Sequence, residues 1–229
     1  MSFDVEILCV ITSATEPTFG PFEYTIGDTT LTTPNFNFVL DCYDESHSYD
    51  FTVAQLPSNT DVSSTQTFAF HWASTLTDYF DFFYNTDTSI VGSYYFTVSL
   101  VSQKALTTTL DFTVEILDPC ESATVSMTLP STSLVTTSPA TATLTPTISD
   151  SVSDSLGANF CGNYQVDPVG DIPTQLTVSP SGFTLTPQSA TDWLDLTTVQ
   201  WRVSLTSYPA STFTSVTEPI VQFDIEIIC

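Results

Sequence analysis

One pattern of hydrophobic and polar positions is written three times along the chain. Phe3-Asp4-Val5-Glu6-Ile7-Leu8-Cys9 returns as Phe112-Thr113-Val114-Glu115-Ile116-Leu117-Asp118-Pro119-Cys120, and again as Phe223-Asp224-Ile225-Glu226-Ile227-Ile228-Cys229. In each copy the first, third and fifth residues are apolar and those between them mostly polar, the period of a strand with one face in a core. Other segments alternate in the same way. Ala123–Leu129 sets Val125, Met127 and Leu129 on one face and Thr124, Ser126 and Thr128 on the other, and Ala140–Ile148 turns Thr141, Thr143, Thr145 and Thr147 outward. Phe68, Phe70 and Trp72 form a further inward row, and Phe96-Thr97-Val98-Ser99-Leu100 is matched by Trp201-Arg202-Val203-Ser204-Leu205, each ahead of its closing strand. Gly20-Pro21, Pro57-Ser58-Asn59 and Ser179-Pro180-Ser181-Gly182 supply turns between the strands. Helical periodicity is nearly absent, so the pattern predicts an all-β chain.

The copies recur about every 110 residues, the length of an immunoglobulin-like sandwich domain. The chain therefore divides into one detached strand, residues 1–9, followed by two tandem immunoglobulin-like β-sandwich domains, 10–119 and 120–229. Cysteine positions fit that division. Cys9 precedes Cys42 by 33 residues and Cys120 precedes Cys161 by 41, so each domain has one cysteine at its start and one further in. Bonds Cys9–Cys42 and Cys120–Cys161 are expected, each closing a loop worth about 4 kcal/mol in the chain-entropy description. Cys229 stands where the first cysteine of a third domain would stand, and its partner is expected in the next subunit or in a continuation of the chain.

Composition narrows the function. Lys and Arg together number 2 against 26 Asp and Glu, a formal net charge of -24. Nucleic-acid binding needs the opposite charge, and an anionic membrane surface would repel such a chain. No apolar run is long enough to span a membrane. With 41% hydrophobic residues the chain has the means to build cores, unlike an acidic disordered tail. Ser and Thr make up roughly 30% of the residues while only 12% are charged, so hydroxyls take the place of surface charges. None of the asparagines begins an N-x-[ST] sequon, which leaves O-linked sugar as the form of any glycan. Five cysteines and few basic residues suit an oxidising, extracellular compartment, although Met1-Ser2-Phe3-Asp4-Val5 does not open a secretory signal.

Candidate chemistry is sparse, and no enzyme is expected. His47 and His71 are the two histidines, and no G-x-S-x-G elbow, phosphate-binding glycine loop or C-x-x-C pair accompanies them. Asp41, Asp44 and Glu45 form one acidic group and Asp78, Asp81 and Asp87 another, with Glu115, Asp118 and Glu121 around the domain junction. Such oxygen-rich loops suit Ca²⁺, while carboxylates that simply keep a hydroxyl-rich surface hydrated give the same pattern. The outward threonines also admit several readings: strand preference, O-glycan acceptors at Thr141, Thr143, Thr145 and Thr147, or a flat ice-binding array, for which the chain lacks a short solenoid period.

Several elements together resemble a known group. Tyr24-Thr25-Ile26-Gly27-Asp28, the single inner Cys42, the run Asp87-Thr88-Ser89-Ile90-Val91-Gly92-Ser93-Tyr94 and the closing Phe112–Cys120 are similar to the tandem immunoglobulin-like repeats of large secreted proteins from ciliates and other protists. The resemblance implies a β-sandwich, an extracellular setting and a structural or adhesive role in a surface fibre. It covers the first domain; the second has the closing strand and cysteines without the Tyr-x-Ile-Gly-Asp and Asp-to-Gly-x-Tyr elements. Independently, a tyrosine shortly after Asp and Gly at the start of a strand suits a tyrosine corner. The function expected is a structural subunit that assembles with its own copies head to tail. In that assembly Phe3, Val5 and Ile7 enter an apolar groove on the neighbour's second domain, with Cys229 at the other end of the joint. In a longer tandem chain the same contacts would be intramolecular. The rival expectation is a Ca²⁺-dependent adhesin or glycan-binding module.

Overall fold

The computed structural model describes residues 14–15, 19–34, 39–40, 47–62, 68–71, 79–102, 107–179 and 181–228. Phe3, Val5, Ile7, Cys9, Asp41, Cys42, Asp44, Glu45, Trp72, Asp78 and Cys229 lie outside the described residues, as do the side chains of His47, Phe68, Phe70 and His71. The chain divides into two compact units, Met1–Asp118 and Pro119–Cys229.

Unit 1 contains β1 (Ala14–Thr15), β2 (Phe22–Thr25), β3 (Thr30–Thr32), β4 (Val39–Leu40) and β5 (His47–Gln55). These are followed by β6 (Thr60–Asp61), β7 (Phe68–His71), β8 (Tyr79–Phe83), β9 (Gly92–Ser102) and β10 (Thr107–Leu117). Unit 2 contains β11 (Val125–Thr128), β12 (Ser133–Thr137), β13 (Ala142–Leu144), β14 (Thr147–Asp150) and the short helix α1 (Ser153–Leu156). It continues with β15 (Tyr164–Pro168), β16 (Leu176–Ser179), β17 (Gly182–Leu185), β18 (Leu194–Leu205) and β19 (Ile220–Ile228).

Both units arrange these strands in one order. In unit 1 one sheet runs β2-β10-β9-β5-β6, opposed by β3-β8-β7 and the pair β1-β4; in unit 2 the order β12-β19-β18-β15 is opposed by β13-β17-β16 and β11-β14. In each, a short strand lies parallel to the closing strand, β2 on β10 and β12 on β19, while the other pairings are antiparallel. A first strand that leaves one sheet to join the other, with hairpins elsewhere, is the order of an immunoglobulin-like sandwich. The protein is thus all-β, two such sandwiches in tandem.

The repeated phrase has the place its alternation implies. Phe112, Val114 and Ile116 on β10, and Phe223, Ile225 and Ile227 on β19, are all buried. Each of these strands is flanked on both sides, so its apolar residues face the core and its polar ones face outward. Ala140–Ile148 also alternates as expected but is interrupted at Thr145-Pro146, where β13 pairs with β17 and β14 turns to pair with β11. Proline cannot donate to a ladder, which explains the break.

The likeness between Phe96–Leu100 and Trp201–Leu205 is not a likeness of position. Phe96 stands opposite Phe112, but Trp201 stands opposite Val221 and it is Val199 that faces Phe223. The two pentads are displaced along their strands, and the ladder of β18 is irregular between Leu194 and Thr197.

The cores differ in kind. Unit 1 is filled by aromatic rings: Phe96 stacks on Phe112 at 4.9 Å between centroids, with Phe80 edge-on or tilted to both at 5.5 and 5.3 Å. Gly20, at φ +74, brings the chain so close to this cluster that a Cβ there would lie 3.0 Å from Phe112 Cβ. Unit 2 has an aliphatic core around Trp201, Phe183 and Phe223, and a second cluster in which Cys120, Ala123, Val125, Cys161, Val203 and Leu205 pack together.

Candidate interaction surfaces

The ties that hold each unit determine which surfaces are presented. In unit 1 the Tyr94 hydroxyl donates to the carbonyl of Ile90 at 2.6 Å, closing the corner at the start of β9. This is the tyrosine corner expected from the Asp-to-Gly-x-Tyr run. Tyr24 does similar work across the unit, donating to the carbonyl of Phe83 at 2.7 Å and to that of Asp28 at 3.3 Å. Burial raises both phenols above their ordinary pKa, with the Asp87 charge adding to the effect at Tyr94.

Unit 2 is tied elsewhere. Cys120 and Cys161 are bonded as expected, with Cα atoms 5.4 Å apart. Beside them lies Asp150, which is wholly buried. Its carboxylate accepts from the backbone N–H of Ser153 at 2.7 Å, that of Val152 at 3.0 Å and the Tyr164 hydroxyl at 2.7 Å. Ser153 in turn accepts from the N–H of Cys161 at 3.4 Å, linking the carboxylate to the disulfide. Burial alone would raise the Asp150 pKa, but the hydrogen bonds from Ser153, Tyr164 and Val152 outweigh it and hold the carboxyl below the usual range. Burial and the Asp150 carboxylate push the Tyr164 phenol up to about 12. The sequence reading missed this cluster, although Asp150 continues the inward parity of Leu144 and Ile148, where a carboxylate needs several donors.

The acidic candidates that can be placed are engaged in local bonds. Asp81 accepts from the Thr32 hydroxyl at 2.6 Å, and Asp87 caps the turn before β9 by accepting from the Ser89 N–H at 2.9 Å. The Ser89 hydrogen bonds lower the Asp87 pKa. Among the described residues no group of three or more His, Cys, Asp or Glu is placed to hold a metal ion.

Three surfaces of unit 2 stand out among the described residues. The first is a groove of about 620 Å³ in unit 2, where Arg202 on β18 lies opposite Asp167 on β15 near Glu218 and Ile220. The second gathers exposed apolar side chains near the end of β19. Val135 is 44% exposed, Leu196 65% and Ile228 46%, with Trp193 at 61% just before β18.

The third is the outer face of two strand groups on one side of unit 2, β11-β14 and β13-β17-β16, which the chain joins at Thr145-Pro146. Thr143, Thr184 and Thr177 stand in one cross-strand row, Thr128 faces Thr147, and Ser126 bonds Ser149 through their hydroxyls at 3.0 Å. Thr141, Thr143, Thr145 and Thr147 are all exposed. No Asp, Glu, Lys or Arg faces outward from these five strands, whereas the opposite sheet of the same unit presents Asp167, Arg202, Asp224 and Glu226. Among the described residues no helix is long and apolar enough to cross a membrane.

No protein-family profile and no curated protein matches the chain. Solved structures do. The titin domains Z1Z2, solved in complex with telethonin, are similar at 8% identity and a TM-score of 0.48, over 95% of this chain and 98% of that one. Extracellular cadherin domains 1–5 of protocadherin gamma B2 are similar at 15% identity and a TM-score of 0.38, over 96% of this chain and 40% of that one. Tandem immunoglobulin repeats of Dlar are similar at 9% identity and a TM-score of 0.28, over 90% and 92%. The fold assignment rests on strand order and register.

Proposed function

We propose that the chain is an extracellular structural subunit that joins its own copies head to tail, by the strand phrase each unit uses to close itself. The observation that carries this reading is the fate of the two described copies. In β10 and β19 the phrase lies between two neighbours with its first, third and fifth residues buried. A third copy, Phe3–Cys9, precedes the strands of unit 1 and has the same alternation. As an isolated strand it would leave Phe3, Val5 and Ile7 and its backbone groups unpaired, a cost relieved by adding to the sheet of a preceding copy or repeat.

A contact of this kind relates different surfaces on the two partners, so it propagates into a filament unless the rotation closes a ring. The disulfide suits an oxidising compartment outside the cell. Peptide-level mass spectrometry of the protein from its source reads directly whether Thr141, Thr143, Thr145 and Thr147 carry O-linked sugar. Electron micrographs of the full chain and of a chain lacking residues 2–8 test the proposal. Long assemblies from the first and none from the second are expected; assemblies of unchanged length from both would overturn it.

A further inference from the structure

The hydroxyl face of unit 2 has a use beyond strand addition. The chain carries 26 acidic residues and 2 basic ones, so copies repel wherever their carboxylates meet. Solvent-facing sheets ordinarily carry mixed charges that keep sheets apart. Here the outer face of β11, β14, β13, β17 and β16 carries none, and its middle row is Thr143, Thr184 and Thr177. We propose that this face docks the same face of a second copy, sheet on sheet, as the lateral contact of the protein.

Charge distribution argues for that occupant. A basic partner would be drawn instead to the opposite sheet, where Asp167, Asp224 and Glu226 are half-buried. A second copy, equally acidic, meets no like charge only where neither surface has any. Threonine methyls supply apolar contact and the hydroxyls can bond across the interface, as Thr–Thr pairs do within sheets. Unit 1 provides a contrast at the matching place. Between its buried Phe80 and Phe82 it presents Asp81, where unit 2 has Thr184 between Phe183 and Leu185.

The area sets the strength. Strands of three or four residues at ~3.3 Å each, in groups two and three strands wide at ~4.8 Å per strand, give a patch of about 300 Å². That is below the ~800 Å² per partner of a standard stable interface. Single chains should therefore pair weakly, and filaments built as proposed above would bundle by repeating the contact. Only the bundling rests on the head-to-tail reading.

Sedimentation equilibrium on the chain lacking residues 2–8 measures the lateral contact alone. It is run at 0.1 and 1 M salt, where screening lengths are about 10 and 3 Å. The average mass should climb toward a dimer as concentration rises, and more steeply at 1 M because the remaining carboxylates are screened. Thr184→Asp, which installs the residue unit 1 carries at this place, should weaken association at least tenfold at 0.1 M. Thr177→Glu, at an exposed position in the same row, should do the same with little change in melting temperature. Gln200→Glu on the opposite sheet should leave association unchanged. A monomer at every concentration in both salts would overturn the proposal, as would equal weakening by Gln200→Glu or O-linked sugar on Thr143 in the native protein. Absence of filaments from the full chain, with dimers still formed, would instead count against strand addition alone.

Discussion

The two units share a strand order but are tied at opposite ends of the fold. Unit 1 is tied where β9 begins: Tyr94 reaches back to Ile90, and Tyr24 reaches across to Phe83. Unit 2 has no tyrosine at the start of β18. Its strongest tie lies where β18 ends, with Val203 and Leu205 packed against the Cys120–Cys161 bond and Asp150 gathering α1 and β15. At its β18 start lies a polar stitch, in which Asp192 accepts from the Gln188 N–H at 2.8 Å and Gln188 bonds Thr174 at 2.8 Å. One topology therefore tolerates different means of fixing its corners, provided that the closing strand and the residues facing it are kept. In this comparison the repeated phrase specifies the architecture, and the local polar chemistry specifies how each end withstands stress.

The largest expected effect isolates unit 2. Cys161→Ala removes a loop constraint worth about 4 kcal/mol, a large fraction of the 5–15 kcal/mol typical of a whole domain. Urea unfolding followed by Trp193 and Trp201 fluorescence should shift strongly, while unit 1 keeps its midpoint. An equal shift in both units would show that they do not fold independently.

Asp150→Asn comes next, at about 2 kcal/mol, because hydrogen bonds to a charged group are lost within a buried site. Its pH dependence has a definite sign. The folded-state pKa of Asp150 is depressed, so the stabilisation is present above the ordinary carboxylate value near 4 and is lost as pH falls through the lower folded value. Tyr164 acts at the other extreme. Its pKa is raised to about 12, so its contribution is complete below the unfolded value near 10 and is lost as pH rises toward the folded one. Melts of wild type and Asp150→Asn between acid and neutral pH should converge at the acid end. Curves that stay parallel would remove Asp150 from the account.

Tyr94→Phe keeps the ring and deletes one hydrogen bond, so about 1 kcal/mol should be lost from unit 1 alone. The smallest effect concerns calcium: its addition should leave both melting temperatures unchanged, since ligand binding to the native state alone would raise them. A rise on titration would favour the adhesin reading.

Much of this architecture was legible in the residues, because burial writes itself as alternation. Phe112, Val114 and Ile116 announce a strand with one buried face, as do Val125 and Leu144. Tyr94 was legible too, since a corner of that kind needs its Asp, Gly and Tyr in local order. Register was not. Phe96 and Trp201 sit in similar pentads yet face different points on their closing strands, because pairing depends on turn lengths and on the irregularity after Leu194. Asp150 escaped for another reason: its donors come from the turn at Val152 and Ser153 and from Tyr164 on another strand, so it reads locally as one more surface acid. The hydroxyl face was visible only in part, because Thr143, Thr184 and Thr177 become neighbours through pairing of β13, β17 and β16.

Strand addition is tested most directly by amide hydrogen exchange on assembled protein, read peptide by peptide. If the phrase at residues 3–8 closes a sheet of a neighbouring copy, its amides should exchange as slowly as those of 112–117 and 223–228. In chains kept apart by dilution those amides should exchange much faster. Assemblies in which residues 3–8 exchange at the rate of an unstructured peptide would contradict head-to-tail joining by that strand.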